Sequence, residues 1–116
     1  MLNNTATLDT ASLDPVFHAL ADPTRRALVE RLTLGPASVS ELARPVAMSL
    51  PGVMQHLAVL EASGLVRSEK TGRVRMCRLE PDAMQNVEDW VADRRKTWER
   101  RLDRLADYLA DEGDTK

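Results

Sequence analysis

The fold is decided by residues 38–64, which read SVSELARPVAMSLPGVMQHLAVLEASG. Ser38-Val39-Ser40-Glu41 has the spacing of a capping box, in which a serine and a glutamate three residues later satisfy each other's backbone N–H groups at the start of a helix. Pro45 disfavours helical geometry at Arg44, so we expect this helix to be short and to stop there. Ser49 predicts the N-cap of a second helix, after a tight turn.

The second helix is predicted to run from Ser49 to Ser63 with one buried face. Val53, Leu57 and Leu60 recur at i, i+4 and i+7, which is typical of a face that packs on a core. Gly64 is the expected C-terminal stop. The opposite face is mixed and carries Pro51, Gly52, Gln55 and Val59. A short helix, a turn and a second amphipathic helix form a helix-turn-helix.

Two further helices are predicted upstream of this motif. Asp14-Pro15 and Asp22-Pro23 each place a capping carboxylate before a proline that is tolerated in a first helical turn. Gly35-Pro36 is expected to end the second of these helices.

Downstream, residues 65–70 (LVRSEK) and 73–79 (RVRMCRL) flank Thr71-Gly72 and indicate a β-hairpin. It carries one acid, Glu69, and five bases: Arg67, Lys70, Arg73, Arg75 and Arg78. Residues 15–79 hold nine Arg/Lys and five Asp/Glu, whereas residues 80–116 hold seven and eleven. A polyanion would therefore find its footprint in the middle of the chain. A basic hairpin after a helix-turn-helix is the wing of a winged helix.

From Pro81 to about Glu112 the chain has no further glycine or proline and predicts one long helix. Its apolar residues recur at helical spacing along a stripe longer than the remaining elements can cover. We expect a second copy of the same helix to cover it. The predicted dimer interface comprises Phe17, Leu20, Val91, Trp98, Leu102, Leu105 and Leu109.

The composition bounds the class of protein. The chain has 116 residues, a length that predicts one domain, and its 43% hydrophobic and 29% charged residues are typical of a chain with a core. We expect this domain to span residues 13–112. Residues 1–12, which are polar and aperiodic, are expected to form a disordered tail, and residues 113–116 a C-terminal tail. Its single cysteine, Cys77, cannot form an internal disulfide. We find no membrane span and no signal peptide, and expect a cytoplasmic protein. No catalytic motif occurs, so we expect no enzyme and no cofactor.

The residues themselves resemble the ArsR/SmtB family of bacterial dimeric winged-helix transcriptional repressors. The resemblance spans about residues 13–110. Its motifs are Phe17 to Arg26 (FHALADPTRR), Glu41 to Pro45 (ELARP), Met48 to Pro51 (MSLP), His56-Leu57, Leu60 to Val66 (LEASGLV), Gly72-Arg73 and Leu79. The pattern of Trp90, Trp98 and Leu102 resembles a branch of the family that does not sense metals.

The resemblance implies that the helix after Ser49 enters the major groove of double-stranded DNA. Gln55 would then pair with an adenine edge, while His56 and Ser49 donate to bases or phosphates. The wing and the start of the second helix would supply phosphate contacts. The predicted DNA-binding residues are Ser49, Pro51, Gly52, Gln55, His56, Lys70, Arg73, Arg75, Arg25 and Arg26.

Several residues have an alternative role. Instead of contacting DNA, His56 could pack at the edge of its helix. Arg26 could instead form a salt bridge with Glu30, its i+4 neighbour. Trp90 and Trp98 are core residues unless they line an effector cavity. The whole chain has an alternative function too, as a winged-helix protein-interaction module without specific DNA binding. The sequence names no small-molecule effector.

Metal and redox chemistry are not expected. The family's thiolate site falls on Ser38 and Ser40, whose hydroxyls are poor ligands for soft metals, and Ser38 is better explained as a helix cap. Only His18 and His56 exist in the chain, on different helices, so we predict no metal site. Cys77 is interpreted as a small core residue, with a redox thiol of lowered pKa beside Arg75 and Arg78 as the alternative.

Overall fold

A computed structural model of the chain describes residues 12–114, with side chains as far as residue 112. The elements follow the winged helix-turn-helix order that the sequence predicts, with one added strand. They are α1 (12–20), α2 (Pro23–Leu32), β1 (Ala37–Ser38), α3 (Val39–Val46), α4 (Leu50–Ala62), β2 (Val66–Thr71), β3 (Val74–Leu79) and α5 (Pro81–Asp114).

The core lies between the helices before the wing and one face of the sheet. Val53, Leu57 and Leu60 are buried, which confirms the predicted inward stripe of α4. Each of the other elements up to the wing contributes at least one buried residue; the largest fully buried side chains are Leu28, Leu42, Leu60, Leu65, Val16, Val53 and Cys77. The packing of α4 on this core fixes which of its residues face outward.

The sheet has three strands in the order β1-β3-β2, all antiparallel, so the expectation of a two-stranded hairpin alone was incomplete. The added strand β1 pairs Ala37 with Cys77 and Ser38 with Met76. Ala37 and Cys77 are both fully buried at this junction. A two-residue strand is too short to show an alternating pattern of apolar and polar residues, so it has no signature in the sequence.

The predicted start of α1 at Asp14-Pro15 was wrong, because the helix already includes residue 12. Residue 12 therefore belongs to the folded region. The rest of the predicted N-terminal tail, residues 1–11, lies outside the described residues.

Pro45 does not end α3, contrary to expectation. The helix continues to Val46, and Ala47 then adopts a left-handed conformation (φ 49°) that ends it. The proline removes one backbone hydrogen bond from a helix with only one residue left, so the loss is confined to the last turn. The capping box of Ser38 and Glu41 is confirmed, with N–H···O distances of 3.1 and 2.8 Å.

The turn of the wing is Gly72-Arg73 and not Thr71-Gly72, since Thr71 pairs with Val74. Gly72 has φ +64°, and a glycine at the first position of a two-residue hairpin loop is the pattern of a type II′ turn. The correction moves Arg73 from a strand to the tip of the wing.

The last helix, α5, is continuous over 34 residues and ends at Asp114, two residues beyond its predicted end. Residues 115–116 of the predicted C-terminal tail lie outside the described residues. The chain divides into two compact units, 12–86 and 87–114, with the boundary inside α5. Within the described residues, no helix combines the length and apolar character that crossing a membrane requires.

Candidate nucleic-acid interface

The N-terminal half of α4 presents an exposed face. Ser49 caps the helix, with its hydroxyl oxygen accepting from Gly52 N–H at 3.2 Å. A hydroxyl that accepts one bond still has its proton, so capping leaves Ser49 able to donate to a phosphate. Pro51 and Gln55 are exposed and Gly52 is half-buried, on the side away from the buried stripe. The predicted reading residues are therefore brought together on one surface.

His56 is held against the body of the protein and is only 21% exposed. Its Nδ1 lies 3.3 Å from Nη1 of Arg25 and 3.9 Å from a carboxylate oxygen of Asp22. Arg25 has only donors, so Nδ1 must accept, and the proton of the neutral ring is then assigned to Nε2. This geometry favours the interpretation that His56 packs at the helix edge, and it leaves Nε2–H as the ring's donor.

Arg25 joins α1 to α4. Its Nε donates to the carbonyl of Ala19 at 2.7 Å and its Nη2 to that of His18 at 3.2 Å. Arg26 donates to the carbonyl of Leu20 at 2.8 Å, which replaces the alternative pairing with Glu30. These carbonyls lie in the last turn of α1, where few backbone N–H groups are available, although the carbonyl of His18 also accepts from Ala21 N–H at 3.2 Å. Both arginines therefore brace the start of α2, a role that sequence reasoning missed.

Three of the five bases of the wing also have partners within the described chain. Arg78 pairs with Glu69 at 3.0 Å and with Glu80 at 3.8 Å, and Arg67 pairs with Glu80 at 3.7 Å. Arg75 donates to the hydroxyl of Ser68 at 2.9 Å, and that hydroxyl donates in turn to Glu61 of α4 at 3.0 Å. The chain of bonds through Ser68 ties the wing to α4.

Lys70 and Arg73 differ from these three bases, because no hydrogen bond or ion pair joins the side chain of either one to another described residue. Both are exposed, and Arg73 stands at the tip of the turn. Of the predicted cations, these two have their full donor capacity available for a phosphate.

A groove of about 390 Å³ lies between the start of α4 and the wing. Lys70, Arg73 and Arg75 line its wing side, and Leu50, Met54 and Val74 contribute apolar surface. None of these three apolar residues was among the predicted DNA-binding residues. Leu50 and Met54 are spaced i, i+4 and fall outside the buried stripe of Val53, which is the signal that would have identified them.

Among the described residues, no group of three or more His, Cys, Asp and Glu side chains is arranged to hold a metal ion. Ser38 caps α3, as interpreted from the sequence. Cys77 is fully buried, and burial raises the pKa of its thiol, with Glu61 adding to the effect. The alternative of a thiol with a lowered pKa was therefore wrong, and Cys77 is a core residue.

A helix-turn-helix whose second helix exposes its N-terminal half, next to a basic wing, defines a winged helix-turn-helix DNA-binding protein. Comparison with known proteins agrees. Residues 20–69 match a family model described as a helix-turn-helix domain. The HTH-type transcriptional regulator Rv2034 of Mycobacterium tuberculosis is 42% identical over 103 residues, which cover 89% of this chain and 94% of the relative.

Solved structures give the same result. The ArsR family transcriptional regulator RHA00566 is 50% identical, with a TM-score of 0.73 over 78% of this chain and 93% of that one. The homodimeric winged helix-turn-helix DNA-binding domain Mb0332 from Mycobacterium bovis is 27% identical, with a TM-score of 0.62 over 78% and 84%. The chain belongs to the ArsR/SmtB family of winged helix-turn-helix transcriptional regulators.

Proposed function

We propose that the protein is a transcriptional repressor that binds a pseudo-palindromic operator as a homodimer in the cytoplasm. The observation that carries this proposal is the exposed start of α4 beside Lys70 and Arg73, two cations with no other described partner. Gln55 reads an adenine edge in the major groove, and the two cations neutralise phosphates. Ser49 adds a phosphate contact, and Arg75 adds positive charge to the groove.

The homodimer forms through the apolar stripe of α5 together with α1. Trp98 and Leu105 are 61% and 53% exposed within one chain, and Phe17 of α1 is 43% exposed. Relatives of this chain support the assignment: one matched structure is homodimeric, and several relatives are named repressors. Two copies of α4 then occupy successive major grooves, about 34 Å apart.

The remaining predicted contacts are assigned indirect roles. Arg25 and His56 orient α4 from the protein side, and Arg26 braces the start of α2. Pro51 and Gly52 allow close approach of the start of α4 to DNA. With Ser38 and Ser40 in place of thiolates, we propose that repression does not respond to a metal ion. An effector, if the protein has one, acts by changing the spacing of the two α4 helices.

The proposal is tested by selecting binding sites from a pool of random duplexes and measuring affinity for the selected site against salt. We expect an inverted-repeat consensus and a logarithmic dependence on salt with a slope of about −0.9 for each phosphate neutralised. A response that is flat in salt and blind to sequence would instead favour the protein-interaction module.

A further inference from the structure

Leu50 and Met54 form an apolar edge on the reading surface of α4. They lie one helical turn apart and expose 48% and 50% of their surface, whereas Val53 and Leu57 are buried. Gln55, the residue expected to pair with a base, follows Met54 directly and is exposed. About half of the surface of Leu50 and of Met54 therefore remains accessible to a partner, although both residues are apolar.

The surroundings of this edge point to a nucleic-acid partner. The groove that Leu50 and Met54 line also contains Lys70, Arg73 and Arg75, which favour a polyanion over an apolar peptide. Leu and Met side chains offer no strong donor or acceptor, so they cannot read the hydrogen-bonding pattern of a base pair. The apolar feature that a major groove offers is the 5-methyl group of thymine.

We propose that Met54, supported by Leu50, recognises a thymine methyl group in each half-site, and that this contact is a specificity determinant. The inference rests on the proposed DNA binding. Gln55 has the amide groups that pair with adenine, and adenine pairs with thymine in the duplex. Met54 and Gln55, which are neighbours in α4, then read the two kinds of base that form A·T pairs.

The test replaces each thymine of the selected half-site by uracil, which removes only the methyl group. Dissociation constants are measured for the wild-type protein, for Met54→Ala and for Val74→Ala. Val74 is the matched control, because it lines the same groove from the wing and is 48% exposed. We expect uracil at one or two positions to weaken wild-type binding about threefold to fivefold, the effect of losing one buried methyl group.

In Met54→Ala the penalty for uracil at those positions should disappear, and in Val74→Ala it should persist. Tolerance of uracil at every position, or a half-site without thymine, overturns the inference while leaving the proposed function intact. A uracil penalty that persists in Met54→Ala also overturns it. Failure to select any specific duplex overturns the proposed function and the inference together.

Discussion

The helices α4 and α5 use their apolar residues in opposite ways. The stripe of α4, centred on Leu57, is buried within its own chain, whereas Val91 and Trp98 of α5 are 43% and 61% exposed. Both stripes have helical periodicity, and the sequence predicts both. The helical periodicity of apolar residues therefore identifies which face of a helix will be buried, but not whether its own chain or a second chain buries it.

The largest expected effect is on the buried stripe. Leu57→Ala should lower the free energy of unfolding by about 2–5 kcal/mol, because it leaves a cavity in a close-packed core. Urea denaturation at a fixed protein concentration measures the loss. Leu34→Ala, at a side chain that is 82% exposed, is the control and should change stability by less than about 0.5 kcal/mol. Equal effects at the two positions would show that α4 does not form the core.

Next in size is an effect on association. Leu105→Glu should weaken the dimer by roughly a hundredfold, because it places an unpaired carboxylate in an apolar interface. Sedimentation across a concentration series measures the dissociation constant, and circular dichroism checks that the helices remain. Arg100→Asp changes charge on the opposite face of the same helix and should have a much smaller effect. A dimer that Leu105→Glu leaves intact would remove α5 from the interface.

The bases of the wing allow a finer comparison. Arg73→Ala should reduce the slope of log affinity against log salt by about one and weaken binding to all sequences alike, because it removes a phosphate contact. Arg78→Ala is the matched control, since Arg78 is already paired with Glu69 and Glu80. Equal changes in slope for the two variants would contradict the division of the wing into paired and available cations.

We expect the weakest effect for the carboxylate charge of Asp22, the N-cap of α2, on thermal stability. The backbone N–H of Arg25 holds the pKa of Asp22 below its usual value of 3.8. A depressed pKa means that the charged carboxylate stabilises the fold above pH 3.8, and that this stabilisation is lost as pH falls through the lowered value. Asp22→Asn keeps a good N-cap and removes the charge.

The melting temperatures of wild type and Asp22→Asn should therefore differ at neutral pH, with the wild type higher, and converge in acid. Asp22→Ala loses the cap as well and should remain less stable than Asp22→Asn across the range. A difference between wild type and Asp22→Asn that is independent of pH would mean that the carboxylate charge has no stabilising role.

Much of the fold could be predicted from local signals. The caps at Asp22, Ser38 and Ser49 act within one turn, so their sequence signatures are complete. The strand β1 could not be predicted, because its two residues are specified by pairing with β3, about 40 positions later. The turn at Gly72-Arg73 was misplaced by one residue because the strands on both sides are rich in exposed charge and fix their register weakly.

The position of the candidate site could be predicted from the sequence. Which of its cationic side chains are bonded within the protein and which are exposed could not. Arg25 and Arg73 look alike in sequence, yet Arg25 bonds the carbonyl of Ala19 and Arg73 stands at an exposed turn. That difference depends on the packing of the end of α1 against the start of α2, because Arg25 bonds carbonyl groups six and seven positions earlier in the chain. Exposed Met54 was not among the predicted contacts, because an apolar side chain has no hydrogen-bonding groups that could be matched to a base from sequence alone.

The most direct test of the account inserts five base pairs between the two half-sites of the selected operator. Half a helical turn rotates one half-site to the opposite face of the duplex, so that two α4 helices of one dimer cannot engage both. We expect affinity to fall to the level of a single half-site. Insertion of five more base pairs should not restore it, because the distance between the half-sites then exceeds the span of the dimer. Unchanged affinity after the five-base-pair insertion would contradict this account.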